Sequence, residues 1–334
     1  MAPATLVRPT LLDLLADGQW HSGTALGNSL GLSRAAIWKQ VRTLRTLGLA
    51  VRAERHRGYC LEQSLDLLSP PAIRPGLVPA TAQALDTLEV LLVTGSTNAC
   101  LTQRPAPPPG RIWAVLAEYQ TGGRGRRGRR WFSPLGHGVC LSVSWSFETA
   151  PRDLPALSLV AGLAVVGALA ERGVTGVRLK WPNDIVSAGG KVGGILVEVA
   201  GEPGGPLRAV IGIGLNVRPV PELAAALREE GGSAPAALDD LAAAGALERN
   251  ALVASLLNAL HASLLAFADG GLQPFLAAWN RYDDLAGRPV VVTRGAEILE
   301  GVARGIAGDG SLLVTVNGRL VPVVAGDVTL RAPA

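Results

Sequence analysis

Gly122 to Arg130 reads Gly-Gly-Arg-Gly-Arg-Arg-Gly-Arg-Arg, five guanidiniums on four glycines. That composition suits an anion. Glycine permits close backbone approach and positive φ, and the guanidinium fork meets carboxylate or phosphate oxygens with two parallel hydrogen bonds. RNA is an alternative anion, but Arg-Gly tracts that hold it are usually long and disordered. This run is short and lies between Glu118-Tyr119-Gln120 and Trp131-Phe132.

Three other segments carry polar chemistry. Gly95-Ser96-Thr97-Asn98 offers short hydroxyl and amide groups that both donate and accept, as Gln120 does; the same residues also suit a helix N-cap. Lys180-Trp181-Pro182-Asn183-Asp184 and Lys191-Val192-Gly193-Gly194-Ile195 each begin with a lysine. Among 31 basic residues only Lys39, Lys180 and Lys191 are lysines. In a chain that otherwise uses arginine, a lysine is a candidate for a place needing a compact ammonium, unless it is a chance survivor. Lys180 is the strongest such candidate, with a salt bridge to Asp184 as its structural alternative. Lys191 either meets a phosphate or supports a hairpin.

Strand and turn signals place these segments. Leu88–Val93 reads as an apolar strand entering Gly95–Asn98, and Arg111–Glu118 as a second, reached through the proline-rich loop 105–110. Val139–Phe147 alternates as a strand, and Pro155–Arg172 is a long helix of small and apolar residues. Val177–Trp181 is a short strand, followed by a hairpin of 184–186 and 191–199 about Ala188-Gly189-Gly190, and by Leu207–Gly212 running to Gly214-Leu215-Asn216. Helices are expected at 247–268 and 273–281. The result is an α/β (α+β) domain over 81–284, a mixed sheet backed by helices. From residue 285 to 334 the segments 289–293, 297–306, 312–316, 320–324 and 328–330 are short strands, and Asn317-Gly318 is a hairpin turn. They predict a small five-stranded barrel.

Residues 1–63 differ in kind. Leu11–Leu15 forms a short helix, Ser22 caps a second that stops near Gly31, and Ser33 caps a third over 34–47. On the third, Ile37, Val41, Leu44 and Leu47 share one face, while Arg34, Trp38, Lys39, Arg42 and Arg45 lie opposite. Strands 49–52 and 59–61 joined by Glu54-Arg55-His56-Arg57-Gly58 complete a winged helix-turn-helix. Ser33, Arg34, Lys39 and Arg42 are expected near DNA, and Arg55 and Arg57 on flanking phosphates. Residues 64–80, with Ser69-Pro70-Pro71 and Pro75-Gly76, read as a linker.

A formal charge of +4 is compatible with nucleic-acid binding without requiring it. No uninterrupted apolar run of spanning length occurs, and residues 1–9 lack a secretion-signal pattern, which predicts a cytoplasmic protein without membrane contact. Cys60, Cys100 and Cys140 are too few and too dispersed for a disulfide framework or zinc site and read as reduced core residues.

Glu118-Tyr119-Gln120 with Gly123-Arg124-Gly125-Arg126-Arg127-Gly128, and Lys180-Trp181-Pro182-Asn183-Asp184, resemble the biotin protein ligases. Ser33-Arg34-Ala35-Ala36-Ile37 and Arg57-Gly58-Tyr59 resemble the bifunctional subgroup that also represses biotin genes. The resemblance spans nearly the whole chain. It implies a catalytic domain related to class II synthetases and an SH3-like C-terminal barrel. It also implies a two-step reaction, in which biotin and ATP give biotinyl-5'-adenylate and pyrophosphate, and a lysine of biotin carboxyl carrier protein, an acetyl-CoA carboxylase subunit, then takes the biotin.

On that resemblance Ser96, Thr97, Asn98, Gln120, Gly125, Trp131 and Gly193 contact biotin. Arg124, Arg126 and Lys180 serve both biotin's carboxylate and the α-phosphate and are the catalytic residues. Arg127, Lys191 and Asn216 join them around ATP. Trp131 could instead be a core residue, and Arg127, Arg129 and Arg130 could simply face water. Mg²⁺ is expected with ATP but without a certain ligand; Asn183 and Asp184 could approach it or orient Lys180. The arginine loop is expected to order on ligand binding. Accumulated adenylate would favour a homodimer on operator DNA. Two features depart from or fall outside the pattern: no aromatic residue occurs from Val217 to Ala266 to stack on adenine, leaving only an aliphatic lid near Arg218-Pro219-Val220-Pro221, and His137 has no assigned role. A lipoate-type ligase and a repressor that only senses biotin are the competing readings.

Overall fold

The computed structural model describes residues 10–201, 206–220, 234–243, 245–294 and 297–330. The chain divides into two compact units, with the principal boundary between Leu68 and Ser69.

In the smaller unit α1 (Leu11–Leu15), α2 (Gly23–Leu30) and α3 (Arg34–Thr46) precede a hairpin, β1 (Val51–Glu54) and β2 (Gly58–Leu61). Each helix starts on a side-chain cap: Thr10 and Asp13 form a capping box, Ser22 accepts from the Ala25 N–H, and Ser33 from the Ala36 N–H. Gly31 closes α2 in the left-handed region and so turns the chain into α3. Leu11, Leu12, Leu15, Leu26, Ile37, Val41 and Leu44 are buried between the helices. Arg45, expected on the basic face, instead donates to the Val51 carbonyl at 2.7 and 3.0 Å, tying α3 to the wing. Gly58 is required by space as well as by its φ of 107°, because a Cβ there would lie 1.9 Å from the His21 carbonyl oxygen.

In the larger unit a seven-stranded sheet has the order β3-β4-β5-β9-β8-β7-β6. These strands are β3 (Leu85–Thr94), β4 (Ile112–Gln120), β5 (Gly138–Phe147), β6 (Arg178–Lys180), β7 (Asp184–Ser187), β8 (Gly190–Gly201) and β9 (Leu207–Asn216). Only β3 and β4 run parallel. The short helices α4 (Pro70–Ile73), α5 (Pro79–Ala84) and α6 (Thr97–Thr102) flank its first strands, and α7 (Leu157–Glu171) and α8 (Arg249–Gly270) pack on each other and on the sheet. The helical stretch Leu154–Glu171, which contains α7, and α8 are apolar enough to cross a membrane by length and composition, but most of each is buried inside this unit. Cys140 is buried on β5 and Cys100 half-buried on α6; with buried Cys60 of the smaller unit, all three cysteines are free.

The segment expected to be a linker folds from Ser69 onward as part of this unit. Its backbone groups are satisfied by side-chain amides of α8: the Ser69 N–H donates to Asn250 and the Val78 N–H to Asn258, whose own amide donates to the Gly76 carbonyl. Of the prolines that suggested a spacer, Pro70 and Pro71 begin α4 and Pro75 lies at the start of a single turn over 74–76, while Pro79 begins α5, all places where no N–H is needed.

After α9 (Leu276–Tyr282) come β10 (Pro289–Arg294), β11 (Glu297–Ile306), β12 (Leu312–Val316), β13 (Arg319–Val323) and β14 (Asp327–Leu330). They form a five-stranded antiparallel sheet in the order β13-β12-β11-β10-β14. It is joined to the rest of the unit by the Trp181 indole N–H, which donates to the Gly310 carbonyl at 2.9 Å.

Candidate active site

The larger unit holds a cavity of about 500 Å³ whose walls come from each polar segment of the central domain and from β14. Its lining divides into a neutral set and a cationic set.

The neutral set sits where β3 turns into α6. Ser96 is both a wall residue and the N-cap, its hydroxyl 3.5 Å from the Ala99 N–H. Thr97 donates its N–H to Gln120 Oε1 at 2.8 Å. Ser142 Oγ, on β5, lies 2.7 Å from Thr97 Oγ1 and 2.6 Å from Asn98 Oδ1. Asn98 Nδ2 donates to Glu198 Oε2, on β8, at 2.7 Å. Ser96, Thr97 and Asn98 are all buried, so their orientations are set by these bonds before any ligand arrives.

Strand β9 makes room for the site by omission. A Cβ at Gly212 would stand 2.3 Å from Asn98 Oδ1, and one at Gly214 would stand 2.3 Å from the Trp131 ring. Glycine at alternate positions on one face therefore admits first the amide and then the indole. Trp131 lines the cavity, and its Nε1 is buried without a hydrogen-bond partner. Gly194, paired with Gly214 across the sheet, also lines the cavity. Gly193, expected against the ligand, does not: it faces β9, where a Cβ would meet Leu215 Cδ2 at 2.6 Å. Strand alternation puts adjacent residues on opposite faces, so only one glycine of the pair can serve.

The cationic set includes Arg124, Arg126, Arg129, Arg130, Lys180 and Lys191. The arginine loop is closed across its base by the Gly125 N–H on the Arg129 carbonyl (2.7 Å) and the Trp131 N–H on the Gly123 carbonyl (2.9 Å). Arg127, at φ 55°, turns away from the cavity. Its guanidinium meets Asp327 Oδ2 at 2.8 Å, and Arg129 meets the same oxygen at 2.6 Å. Arg127, expected around ATP, is held here by a carboxylate of β14 and is not part of the cavity wall.

Arg126 is half-buried, 3.5 Å from Asn183 Oδ1. Burial pushes its pKa down from the ordinary guanidinium value; Asp327 opposes this and Arg127 adds to it. Its charge is consequently short of compensation. Arg130 stacks on Phe132 at 4.3 Å.

Lys180 ends β6 opposite Asp184, yet Asp184 pairs with Lys191 at 2.5 Å instead. The salt bridge considered for Lys180 is absent, and among the described residues neither Lys180 nor Arg124 has a side-chain hydrogen bond or ion pair. Asn183 Nδ2 donates to the Ile195 carbonyl and Asn216 Nδ2 to the Lys191 carbonyl, at 2.7 and 3.2 Å. The His137 carbonyl accepts from the N–H groups of Val217 and Arg218, a backbone role at the start of β5. Of the expected lid, the sequence from Pro221 to Ser233 lies outside the described residues.

Sequence reasoning missed Ser142, Glu198, Gly212 and Asp327. The Gly-Ile-Gly spacing on β9 was a usable signal, whereas nothing local marks Asp327.

In the smaller unit Ser33 is occupied as the α3 cap, and Arg34, Lys39, Arg42, Arg55 and Arg57 are exposed. Arg42 lies over the Trp38 ring, and Arg52 and Arg57 both lie over Trp20, at 5.6 and 4.4 Å.

Residues 91–216 match the Biotin/lipoate A/B protein ligase family, residues 8–60 an HTH domain, and residues 286–331 the Biotin protein ligase C terminal domain. The chain is 39% identical over 329 residues to the bifunctional ligase/repressor BirA of Salmonella typhimurium, covering 98% of each. It is also 39% identical to BirA of Escherichia coli, covering 96% of each. The chain belongs to the biotin protein ligase family. A solved biotin protein ligase from Aquifex aeolicus, in complex with biotin and ATP, is 25% identical and superposes with a TM-score of 0.59 over 74% of this chain and all of that one. This biotin protein ligase thus adds an N-terminal winged helix-turn-helix to a ligase core, and the bifunctional relatives share that arrangement over essentially their full length.

Proposed function

We propose that the cavity joins biotin to ATP as biotinyl-5'-adenylate and then yields the biotin to a lysine of biotin carboxyl carrier protein. The observation that carries this reading is the meeting of two unpaired cations, Lys180 and Arg124, and half-buried Arg126 in one cavity with a pre-bonded neutral wall. Ser96, Thr97, Asn98 and Gln120 recognise the ureido ring, a small neutral group needing donors and acceptors in fixed directions. Trp131 covers the ring system. Arg124 and Arg126 hold the carboxylate against the α-phosphate, offsetting the repulsion between two anions as a carboxylate oxygen attacks phosphorus and pyrophosphate leaves. Lys180 stabilises the charge that gathers on the α-phosphoryl oxygens in that step. In the second step the acceptor amine attacks the biotin carbonyl and AMP leaves. Lys191, held by Asp184, and Asn216 support the nucleotide side.

Among the described residues no group of three metal-ligating side chains gathers, and the cavity carboxylates Asp184 and Asp327 are each taken by cations. Mg²⁺ therefore fits as part of the nucleotide's own phosphate complex.

The smaller unit is read as the operator-binding part. Adenylate retained in the site would favour a homodimer that binds DNA, and carrier protein would consume the adenylate and release it; the setting is cytoplasmic. The deciding assay incubates the protein with ATP, labelled biotin and a carrier domain, scoring adenylate and protein-bound label separately. Both are expected. Absence of both would overturn the ligase reading, and adenylate without transfer would remove the second step. Operator affinity independent of biotin plus ATP would overturn the switch alone.

A further inference from the structure

Trp38 is 52% exposed, and among the described residues it is the one Trp, Tyr or Phe that is not at least half-buried. Nothing in the core of the smaller unit requires it there, since α3 buries Ile37, Val41 and Leu44 on its inner face. One helical turn on, the Arg42 guanidinium carbon lies 4.9 Å from the Trp38 ring centroid. Stacking occupies the face of a guanidinium and leaves its in-plane N–H donors free, while restricting a side chain that otherwise loses rotamer entropy on binding.

The surroundings select the partner. Arg34 and Lys39 are exposed on the same helix, α3 contains no acidic residue, and Arg42 has no ion pair among the described residues. A basic surface of this kind complements a polyanion, and the helix is the one that a winged helix-turn-helix lays in the major groove. The wing differs: Arg52 and Arg57 also lie over an indole, that of Trp20, but both reach Glu54 at 3.3 Å, so part of their donor capacity is occupied.

We propose that Trp38 and Arg42 form a preassembled sequence-reading pair for duplex DNA. The stacked guanidinium presents its free edge to a guanine's two major-groove acceptors, and the indole covers the apolar edge of the adjoining base pair, favouring a thymine methyl. This rests on the operator-binding reading of the smaller unit and specifies which residues confer its sequence preference.

The test is enrichment from a random-sequence duplex pool by the full-length chain with biotin and ATP. Wild type, Trp38→Ala, Trp38→Phe, Arg42→Ala and the double variant are compared, with circular dichroism and the unfolding midpoint confirming the fold. Wild type should enrich a motif containing a guanine flanked by a thymine. Arg42→Ala should lower the preference for that guanine by about tenfold. Trp38→Ala should weaken the same position together with its neighbour, Trp38→Phe should retain most of both, and the double variant should lose less than the two single losses combined. An unchanged motif from Trp38→Ala would overturn the proposal while leaving operator binding intact. Uniform weakening across all sequences would place the indole on the DNA backbone and also overturn it. An unchanged motif with altered sedimentation would assign Trp38 to a protein contact instead. If the wild type enriched no motif, the operator reading itself would fall and the pair with it.

Discussion

Arginines of the ligase loop and arginines of the DNA-reading unit are held in opposite ways. In the loop, Arg127 and Arg129 share one carboxylate oxygen of Asp327, so position is set by opposite charge and part of the cationic field is cancelled. On α3, Arg42 lies over Trp38, and position is set by an aromatic face that leaves the charge available. The first arrangement suits a segment that must release when a competing anion arrives, because charge pairs at partly exposed positions are weak and salt-sensitive. The second suits a group that must meet its partner already oriented. Arg249 marks a third condition: fully buried, it donates to Glu118 at 2.7 Å and to the Gly138 carbonyl at 3.0 Å. There the contact is architectural, joining α8 to β4 two residues before Gln120.

The three conditions predict effects of descending size. Arg249→Ala should be the most damaging to stability, by about 3–5 kcal/mol, because it strands Glu118 in a dry interior. Chemical denaturation measures this, and a loss below about 1 kcal/mol, as for an exposed pair, would show that water reaches the site. Lys180→Ala should slow adenylate formation by about 10²–10³-fold, comparable with losing one transition-state donor, at an unchanged unfolding midpoint. Near wild-type adenylation would remove Lys180 from the chemistry and leave Arg124 and the Phe132-stacked Arg130 to examine, as the cavity cations with neither a side-chain hydrogen bond nor an ion pair among the described residues.

Asp283 extends the comparison to a buried carboxylate with no ion pair among the described residues, although the Arg178 guanidinium donates to its backbone carbonyl at 2.9 Å and opposes the rise in its pKa. Its Oδ1 accepts the Leu285 N–H at 2.8 Å, while Oδ2 is buried without a partner. Burial pushes its pKa up, the Leu285 N–H opposes this, and neighbouring Asp284 adds to the rise. The unfolded chain then loses this proton first. Stability should fall as pH rises from the ordinary carboxylate value through the elevated one, then level off. Asp283→Asn should flatten that portion of the stability profile, as read by thermal unfolding against pH; an unaltered slope would locate the titration elsewhere.

Much of the architecture was legible because periodicity is local. The 3.6-residue spacing of Ile37, Val41 and Leu44 reports the buried face of a helix from one stretch of chain, and the alternation of β5 reports a strand, although both of its faces prove to be buried. The motif residues Ser96, Gln120, Arg124 and Lys180 were also visible as polarity at strand ends, and all four line the cavity. What the sequence concealed lies across the sheet or in another part of the chain. Ser142 and Glu198 reach Asn98 only because β5, β9 and β8 are neighbours. Asp327 is separated from Arg127 by the whole central domain. Lys180 and Lys191 illustrate the same limit: both stood out by scarcity, but only the register of β6, β7 and β8 decides which one Asp184 neutralises.

The smallest effect is the most discriminating for the comparison. Asp327→Asn removes the carboxylate shared by Arg127 and Arg129 while keeping its size. Pairs at this exposure contribute roughly 0–1 kcal/mol each, so the unfolding midpoint should barely move. The loop should respond nonetheless, because its two closing bonds, Gly125 to Arg129 and Trp131 to Gly123, are local and few. Amide exchange at Gly125 and Trp131 should accelerate in the variant, and raising the salt concentration should accelerate it in the wild type but little in the variant. Arg42 supplies the contrast, since its stack on Trp38 depends less on long-range charge and should survive the same salt. If exchange in the loop ignores both the substitution and the salt, its own backbone bonds hold it. Release by a competing anion would then have no physical basis, and the two sets of arginines would differ in surroundings but not in mechanism.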